Sequence, residues 1–218
     1  TVQTAIGEIE LPAPFSTRSV SRPSTVIDWP KEKTPTAPAG FKVTRFAEDL
    51  KHPRWTYIAP NGDVFVAEAN TSKDSANRIT LLRDTNGDEK VDEQHIYLEG
   101  LHQNLGMLVL NNYFYVANTD GLYRYPYKKG ANKIISEGEK IVNLPAGGYN
   151  NHWTRNIISS KDGSKIYISV GSASNVGEHG MEEEQRRASI LEVNPDGSGE
   201  EIYASGIRNP VGMDINPV

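Results

Sequence analysis

Pro60-Asn-Gly-Asp-Val-Phe-Val-Ala67 is the stretch whose reading decides the fold. Asn-Gly-Asp supplies turn chemistry, and the Val-Phe-Val-Ala that follows is a short run of β-branched and aromatic residues, the pattern of a strand leaving a tight turn. The same turn-then-strand unit returns as Asn111-Asn-Tyr-Phe-Tyr-Val-Ala117 and Lys161-Asp-Gly-Ser-Lys-Ile-Tyr-Ile-Ser169, and Met213-Asp-Ile-Asn-Pro217 opens it once more. Strand starts at Val64, Phe114 and Ile166 recur about every 50 residues, with room for several short strands in each interval. That repeat predicts an all-β body organised as a β-propeller. Three units and the beginning of a fourth, about three and a half blades, cannot close a ring, and an unclosed propeller exposes sheet edges and apolar faces. The sequence is therefore expected to be the N-terminal part of a longer chain, or to pair with a second chain or C-terminal segment that completes the ring.

Outside the repeats the character changes. Of 13 prolines, Pro12, Pro14, Pro23, Pro30, Pro35 and Pro38 fall in the first 40 residues, where no apolar period of 2 or 3.6 is sustained. Residues 1–40 read as a Pro-rich N-terminal arm and 41–218 as the propeller domain. Ile9, Leu11, Phe15, Ile27 and Trp29 make the arm more apolar than a free linker, so it is expected to lie over the body. Acidic residues outnumber basic ones 28 to 23, which argues against phosphate-backbone binding. The absence of cysteine excludes disulfides, thiolate metal sites, iron–sulfur clusters and a Cys nucleophile. No apolar run is long enough to span a membrane, and TVQTAIGEIE lacks a basic region followed by an apolar one, so any signal peptide is expected to have been removed.

Several stretches carry candidate chemistry. Asp84-Thr-Asn-Gly-Asp-Glu-Lys-Val-Asp92 alternates oxygen-bearing side chains as a calcium loop does, making Asp84, Asn86, Asp88, Lys90 and Asp92 candidate ligands of a structural calcium. Glu89 and His95 stand where such a loop needs Gly and a bidentate Glu. The competing reading is a polar hairpin between strands Arg78–Leu82 and Gln94–Leu98 that turns at Asn86-Gly87. Asn150-Asn-His152-Trp-Thr-Arg155-Asn precedes the strand Ile157–Ser160, which puts His152 at a strand start, where propeller loops face the channel; a neutral imidazole there can take a hydroxyl proton near pH 7. In Ser205-Gly-Ile-Arg-Asn-Pro210, Pro210 holds Asn209 extended and limits where Arg208 points, giving a fixed cation for a developing oxyanion or a carboxylate. His102-Gln103-Asn104 leads into a strand in the same way, so three successive blades present polar side chains toward the axis. The charge run Met181–Arg187 reads as a solvated helical turn or loop.

In these stretches the sequence resembles the glucose/sorbosone dehydrogenase family, the soluble quinoprotein sugar dehydrogenases, and most closely its L-sorbosone dehydrogenase branch. The resemblance is carried by Pro38-Ala-Gly-Phe41, Pro53-Arg54, Pro60–Glu68, Gly106-Met107, Tyr115–Asp120, His152-Trp-Thr-Arg155, Val170–Asn175 and Gly206-Ile-Arg-Asn-Pro210. It implies a six-bladed propeller that holds pyrroloquinoline quinone (PQQ) over its axis, with calcium on the quinone, and oxidises an aldose or sorbosone-like sugar. It also implies a periplasmic or secreted enzyme that passes electrons to a soluble acceptor such as a cytochrome. His152 matches the histidine that takes the sugar's hydroxyl proton, and Arg208 the arginine that stabilises the oxygen. Gln103, Asn104, Arg155, Arg208 and Asn209 are the matching cofactor-binding candidates. Glucose-oxidising members carry acids where this chain has Asn151 and Ser172. Without a carboxylate partner His152 is expected to be a weaker base unless Glu178 or a residue beyond 218 compensates. Two other readings stay open: a calcium-dependent lactonase-type hydrolase, and a propeller that only binds a partner.

Overall fold

The computed structural model describes every residue except 12, 14, 15, 17–21, 23, 26, 28, 31, 32 and 218. It divides into two units, Thr1–Thr44 and Arg45–Val218. The first contains a hairpin of two short strands, β1 (Val2–Thr4) and β2 (Gly7–Ile9), paired antiparallel from Val2 opposite Ile9 to Thr4 opposite Gly7. Reading this region as an arm without regular structure missed the hairpin, because three-residue strands are too short to display an alternation. Its turn is closed by the Thr4 hydroxyl, which donates to the Gly7 carbonyl at 2.7 Å. Pro12, Pro14, Phe15 and Pro23 lie outside the described residues.

The second unit holds three four-stranded antiparallel sheets, each a simple meander. The first is β3 (Pro53–Ile58), β4 (Val64–Glu68), β5 (Arg78–Arg83) and β6 (Glu93–Leu98). The second is β7 (Met107–Leu110), β8 (Tyr113–Asn118), β9 (Gly121–Pro126) and β10 (Glu139–Asn143). The third is β11 (Ile157–Ser159), β12 (Ile166–Val170), β13 (Ser189–Val193) and β14 (Glu201–Ser205). The second strands start at Val64, Tyr113 and Ile166, within one residue of the repeat read from the sequence. Met181–Glu184 is a single 3₁₀ turn. Residues 206–217 form no strand, so the expected fourth unit has no sheet here.

Side-chain alternation shows that the sheets are stacked as propeller blades. In β8, Phe114 and Val116 point into a core shared with the first blade, which contains Phe65, Leu81 and Tyr97, whereas Tyr115 and Ala117 point into a second core with Ile166, Ile168 and Leu191 of the third. A strand with period-2 geometry that is apolar on both faces needs a neighbour on each side. The first core is tightened by an aromatic triad, with ring centroids 4.6 Å apart for Phe65–Tyr97, 4.9 Å for Phe65–Phe114 and 5.4 Å for Tyr97–Phe114. Asp63 of the opening motif does more than turn the chain. Its nearly buried carboxylate accepts Arg83 Nε at 2.7 Å and Nη2 at 3.1 Å, a bidentate pair that fastens β4 to β5.

The inner strands converge where Gly106 N donates to Arg155 O at 2.9 Å. A Cβ on Gly106 would stand 2.7 Å from Ile157 N, so glycine is what lets the backbones leading into β7 and β11 approach. In a four-stranded meander the β4–β5 type of hairpin loop and the crossover to the next blade emerge at the same end. The two sets are laced together by main-chain bonds: Leu101 N to Asn77 O, Thr119 N to His102 O, Asn151 N to Ala173 O and Ser172 N to Arg208 O, all at 2.8–3.0 Å. All the polar stretches singled out at strand starts lie in these crossovers.

Candidate active site at the blade crossovers

His152 sits on the crossover between β10 and β11, half-buried against the end of β12. Its Nδ1 lies 2.8 Å from Ser172 Oγ and 3.1 Å from the Ser172 carbonyl oxygen. A carbonyl can only accept, and the Ser172 hydroxyl already donates to Ser174 O at 2.6 Å. Nδ1 therefore carries the proton, and the neutral ring presents the lone pair on Nε2. Ser172 occupies the position where an acid was missing from the resemblance, and it orients the ring without supplying charge. Glu178 does not compensate. Its carboxylate accepts the amide of Val176 at 2.8 Å and that of Asn175 at 3.4 Å; the Val176 bond first, then its own amide and the Ser174 hydroxyl, hold it down to about 2.

Gly171 brings the next crossover against His152. A Cβ there would lie 2.4 Å from His152 Cβ and 2.8 Å from both the His152 carbonyl oxygen and Asn209 Oδ1. The exposed Arg208 is anchored by Nε to the Asn175 carbonyl at 3.0 Å and by Nη2 to Asn175 Oδ1. His152, Ser172, Arg208 and Asn209 are thus brought to one rim, beside a cleft of about 490 Å³ lined in part by Ser172, Ser174, Asn175, Glu184, Arg187 and Arg208.

Gln103 stands on the preceding crossover at φ 49°, in the left-handed region, with its amide donating to Asn77 Oδ1 at 3.2 Å. Asn104 beside it is fully buried; Nδ2 donates to Arg78 O at 3.0 Å and Oδ1 has no hydrogen-bond partner among the described residues. Arg155, a cofactor-binding candidate in the sequence, lies beneath the crossover with no exposed surface. It donates to the carbonyls of His152 at 2.7 Å, Thr154 at 3.1 Å and Pro145 at 2.7 Å. Burial, with the charge of Arg187 added, pushes its pKa down to about 9, which leaves it a cation at neutral pH.

A family model described as TrAA12-like matches residues 35–218. The chain belongs to the TrAA12-like family. It is similar to the holo form of the PQQ domain of pyranose dehydrogenase from Coprinopsis cinerea, at 19% identity and a TM-score of 0.62, over 76% of this chain and 41% of that one. It is also similar to the calcium structure of the family AA12 carbohydrate-active enzyme from Trichoderma reesei, at 16% identity and 0.55, over 71% and 38%. A third is the PQQ-bound aldose sugar dehydrogenase from Streptomyces coelicolor, at 20% identity and 0.53, over 77% and 55%. At these identities the likeness establishes the fold. The chain spans about half the length of the structures it matches, or less.

Two residues of this TrAA12-like chain were given no role in the sequence reading and come to the site in the structure. Arg54, on the innermost strand of the first blade, places its guanidinium 5.3 Å from the ring centroid of Trp153, next to His152. Asn150 is bonded to Arg155, Arg187 and Thr119. The Asp84 loop lies between β5 and β6. There Asp84 accepts the amides of Gly87 at 2.7 Å and Glu89 at 2.9 Å, and Asp92 accepts Thr85 N and Oγ1, both at 2.7 Å. Asp88 accepts the amide of Lys90, two residues on, at 3.0 Å. Among the described residues no group of three or more His, Cys, Asp or Glu is placed to hold a metal ion.

Proposed function

We propose that the complete protein oxidises a sugar hydroxyl, of an aldose or a sorbosone-like sugar, with pyrroloquinoline quinone as cofactor. The observation that carries this reading is the His152–Ser172 pair. It fixes the imidazole proton on Nδ1 and leaves Nε2 as a base at a rim that also holds Arg208 and Asn209. The likeness in fold to PQQ-bound structures supports it.

The residues present fit a planar quinone bearing carboxylates. Arg208, Asn209 and Gln103 offer a cation and amides around the axis, and the buried, unpartnered Asn104 Oδ1 is an acceptor still to be satisfied. Asn104 and Arg155 would serve as supports for these groups. When bound, the quinone supplies a two-electron acceptor for hydride. His152 Nε2 takes the sugar's hydroxyl proton, and the resulting imidazolium keeps its Nδ1–H on Ser172. Such general-base help is typically worth about 10²–10⁴-fold. Arg208 faces the oxygen that gains negative charge, and a fixed donor there contributes about 2.7–4 kcal/mol. Calcium on the quinone is part of the proposal, with ligands outside the described residues. So are export to the periplasm or medium and a soluble electron acceptor such as a cytochrome; no helix among the described residues is long and apolar enough to cross a membrane.

The test is dye reduction by the complete protein with PQQ and calcium over a panel of aldoses and ketoaldoses. Sugar-dependent reduction that needs added PQQ supports the reading. Lactone hydrolysis that needs calcium alone, or no sugar-dependent reduction at saturating PQQ and calcium, would overturn it.

A further inference from the structure

We propose that Asn150 is the positioning residue that holds His152 in its working tautomer and place, an assignment that rests on His152 being the base. The crossover of residues 144–156 contains no strand or helix, so its shape has to come from side-chain bonds. Asn150 is where those bonds meet. Its Oδ1 accepts Arg155 Nη2 at 3.1 Å and Arg187 Nη1 at 2.9 Å, and its Nδ2 donates to Thr119 Oγ1 at 3.0 Å. One amide thereby ties the crossover to the β8–β9 turn, to the residue two before β13, and to the segment that enters β11.

The two guanidiniums make this junction unusual. Arg155 has no exposed surface and Arg187 is 6% exposed, and among the described residues neither is hydrogen-bonded to a carboxylate. Their other bonds among the described residues go to main-chain carbonyls, Arg187 Nη2 reaching Gly147 O at 3.0 Å. Two like charges buried side by side repel; the carboxylates of Glu184 and Glu183 offset this for Arg187, and Asn150 Oδ1 is the side-chain acceptor the two guanidiniums share. Arg155 Nη1 also donates to the His152 carbonyl at 2.7 Å. Removing the Asn150 acceptor takes one bond from each buried guanidinium and leaves Arg155, which grips the His152 main chain, held by main-chain carbonyls alone and no longer tied to Arg187. The ring then loses its fixed distance to Ser172, and with it the preference for the proton on Nδ1.

The experiment is nitrogen NMR of the complete protein labelled in its histidine imidazoles, a readout that needs neither cofactor nor sugar. In the unaltered protein His152 should show a protonated Nδ1 and a bare Nε2. Asn150→Ala should bring the two nitrogen shifts together as the tautomers exchange, and should lower kcat about 10²-fold with a smaller change in KM. Asn150→Asp should retain the original shifts, because a carboxylate of the same shape accepts both guanidiniums and the Thr119 hydroxyl can turn to donate. If Asn150→Ala does not fold, Asn150→Ser, too short to reach both arginines, carries the same expectation. Unaltered His152 shifts in the Ala or Ser variant, or an Asp variant no better than Ala, would overturn the assignment. A lack of sugar oxidation by the unaltered protein would instead count against the proposed function.

Discussion

Gly171→Ala is the perturbation most sharply defined by this geometry. Gly171 has no left-handed φ, so the backbone itself tolerates alanine and the whole effect comes from the added methyl. That methyl would start 2.4 Å from His152 Cβ, 2.8 Å from the His152 carbonyl oxygen and 2.8 Å from Asn209 Oδ1. Ordinary contact needs about 1 Å more at the closest point, and two of the three obstructing groups belong to His152. Overpacking of this kind costs about 1–3 kcal/mol, and about 2–4 °C of Tm per kcal/mol for a domain of this size. The larger consequence falls on function, since a displacement of about 1 Å at a proton-transfer group costs about 10²-fold in rate. Gly212→Ala is the control, because among the described residues no heavy atom beyond its chain neighbours lies within 4 Å of the added methyl, and its φ is not in the left-handed region. Thermal unfolding and dye-coupled kinetics on both variants in the complete protein make the comparison. A Gly171→Ala protein with the kcat and Tm of Gly212→Ala would refute the claim that Gly171 sets the position of His152.

Three further outcomes follow from other contacts. Ser172→Ala removes the 2.8 Å partner of Nδ1 but leaves the carbonyl at 3.1 Å, so kcat should fall by about 2–13-fold, the equivalent of about 0.5–1.5 kcal/mol for one hydrogen bond, and steady-state kinetics would show whether it does. Glu68 is fully buried; burial raises its pKa, but bonds from Arg78, Thr80 and Lys51 N outweigh it and leave the carboxyl below its ordinary range. Its stabilising effect should be complete above about pH 4.3 and disappear as pH falls through the folded value, so Glu68→Gln should be weaker by about 1.5–3 kcal/mol in urea at pH 7, with the gap closing as pH falls through that lowered value. Asp88→Ala should lower Tm in calcium but not in chelator if the Asp84 loop holds the metal, and equal losses in both would identify a plain hairpin.

What could be read from the sequence was what is local and periodic. Turn residues followed by Val-Phe-Val-Ala or Lys-Ile-Tyr-Ile mark β4 and β12 because strand alternation is written within a few residues, and the repeat between them marks the blades. Strands β1 and β2 escaped because three residues contain no period. His152 and Gln103 could be singled out because each lies in a polar stretch that leads into a strand, β11 or β7, whereas Arg208 follows β14 and leads into no strand among the described residues. The placing of Arg155 was not legible. Nothing local to residues 152–155 tells that its guanidinium turns back under its own crossover, toward Pro145 and Asn150. The grip of Asn150 on Arg187 and Thr119 likewise joins residues 37 and 31 positions away, a pairing made by blade stacking.

The most direct measurement of the central claim is the steady-state rate of His152→Ala in the complete protein at saturating PQQ, beside a quinone titration of the same variant. Loss of the Nε2 base should lower kcat by about 10²–10⁴-fold while the quinone affinity stays near that of the unaltered protein. A near-normal kcat would contradict the account and remove His152 from the chemistry.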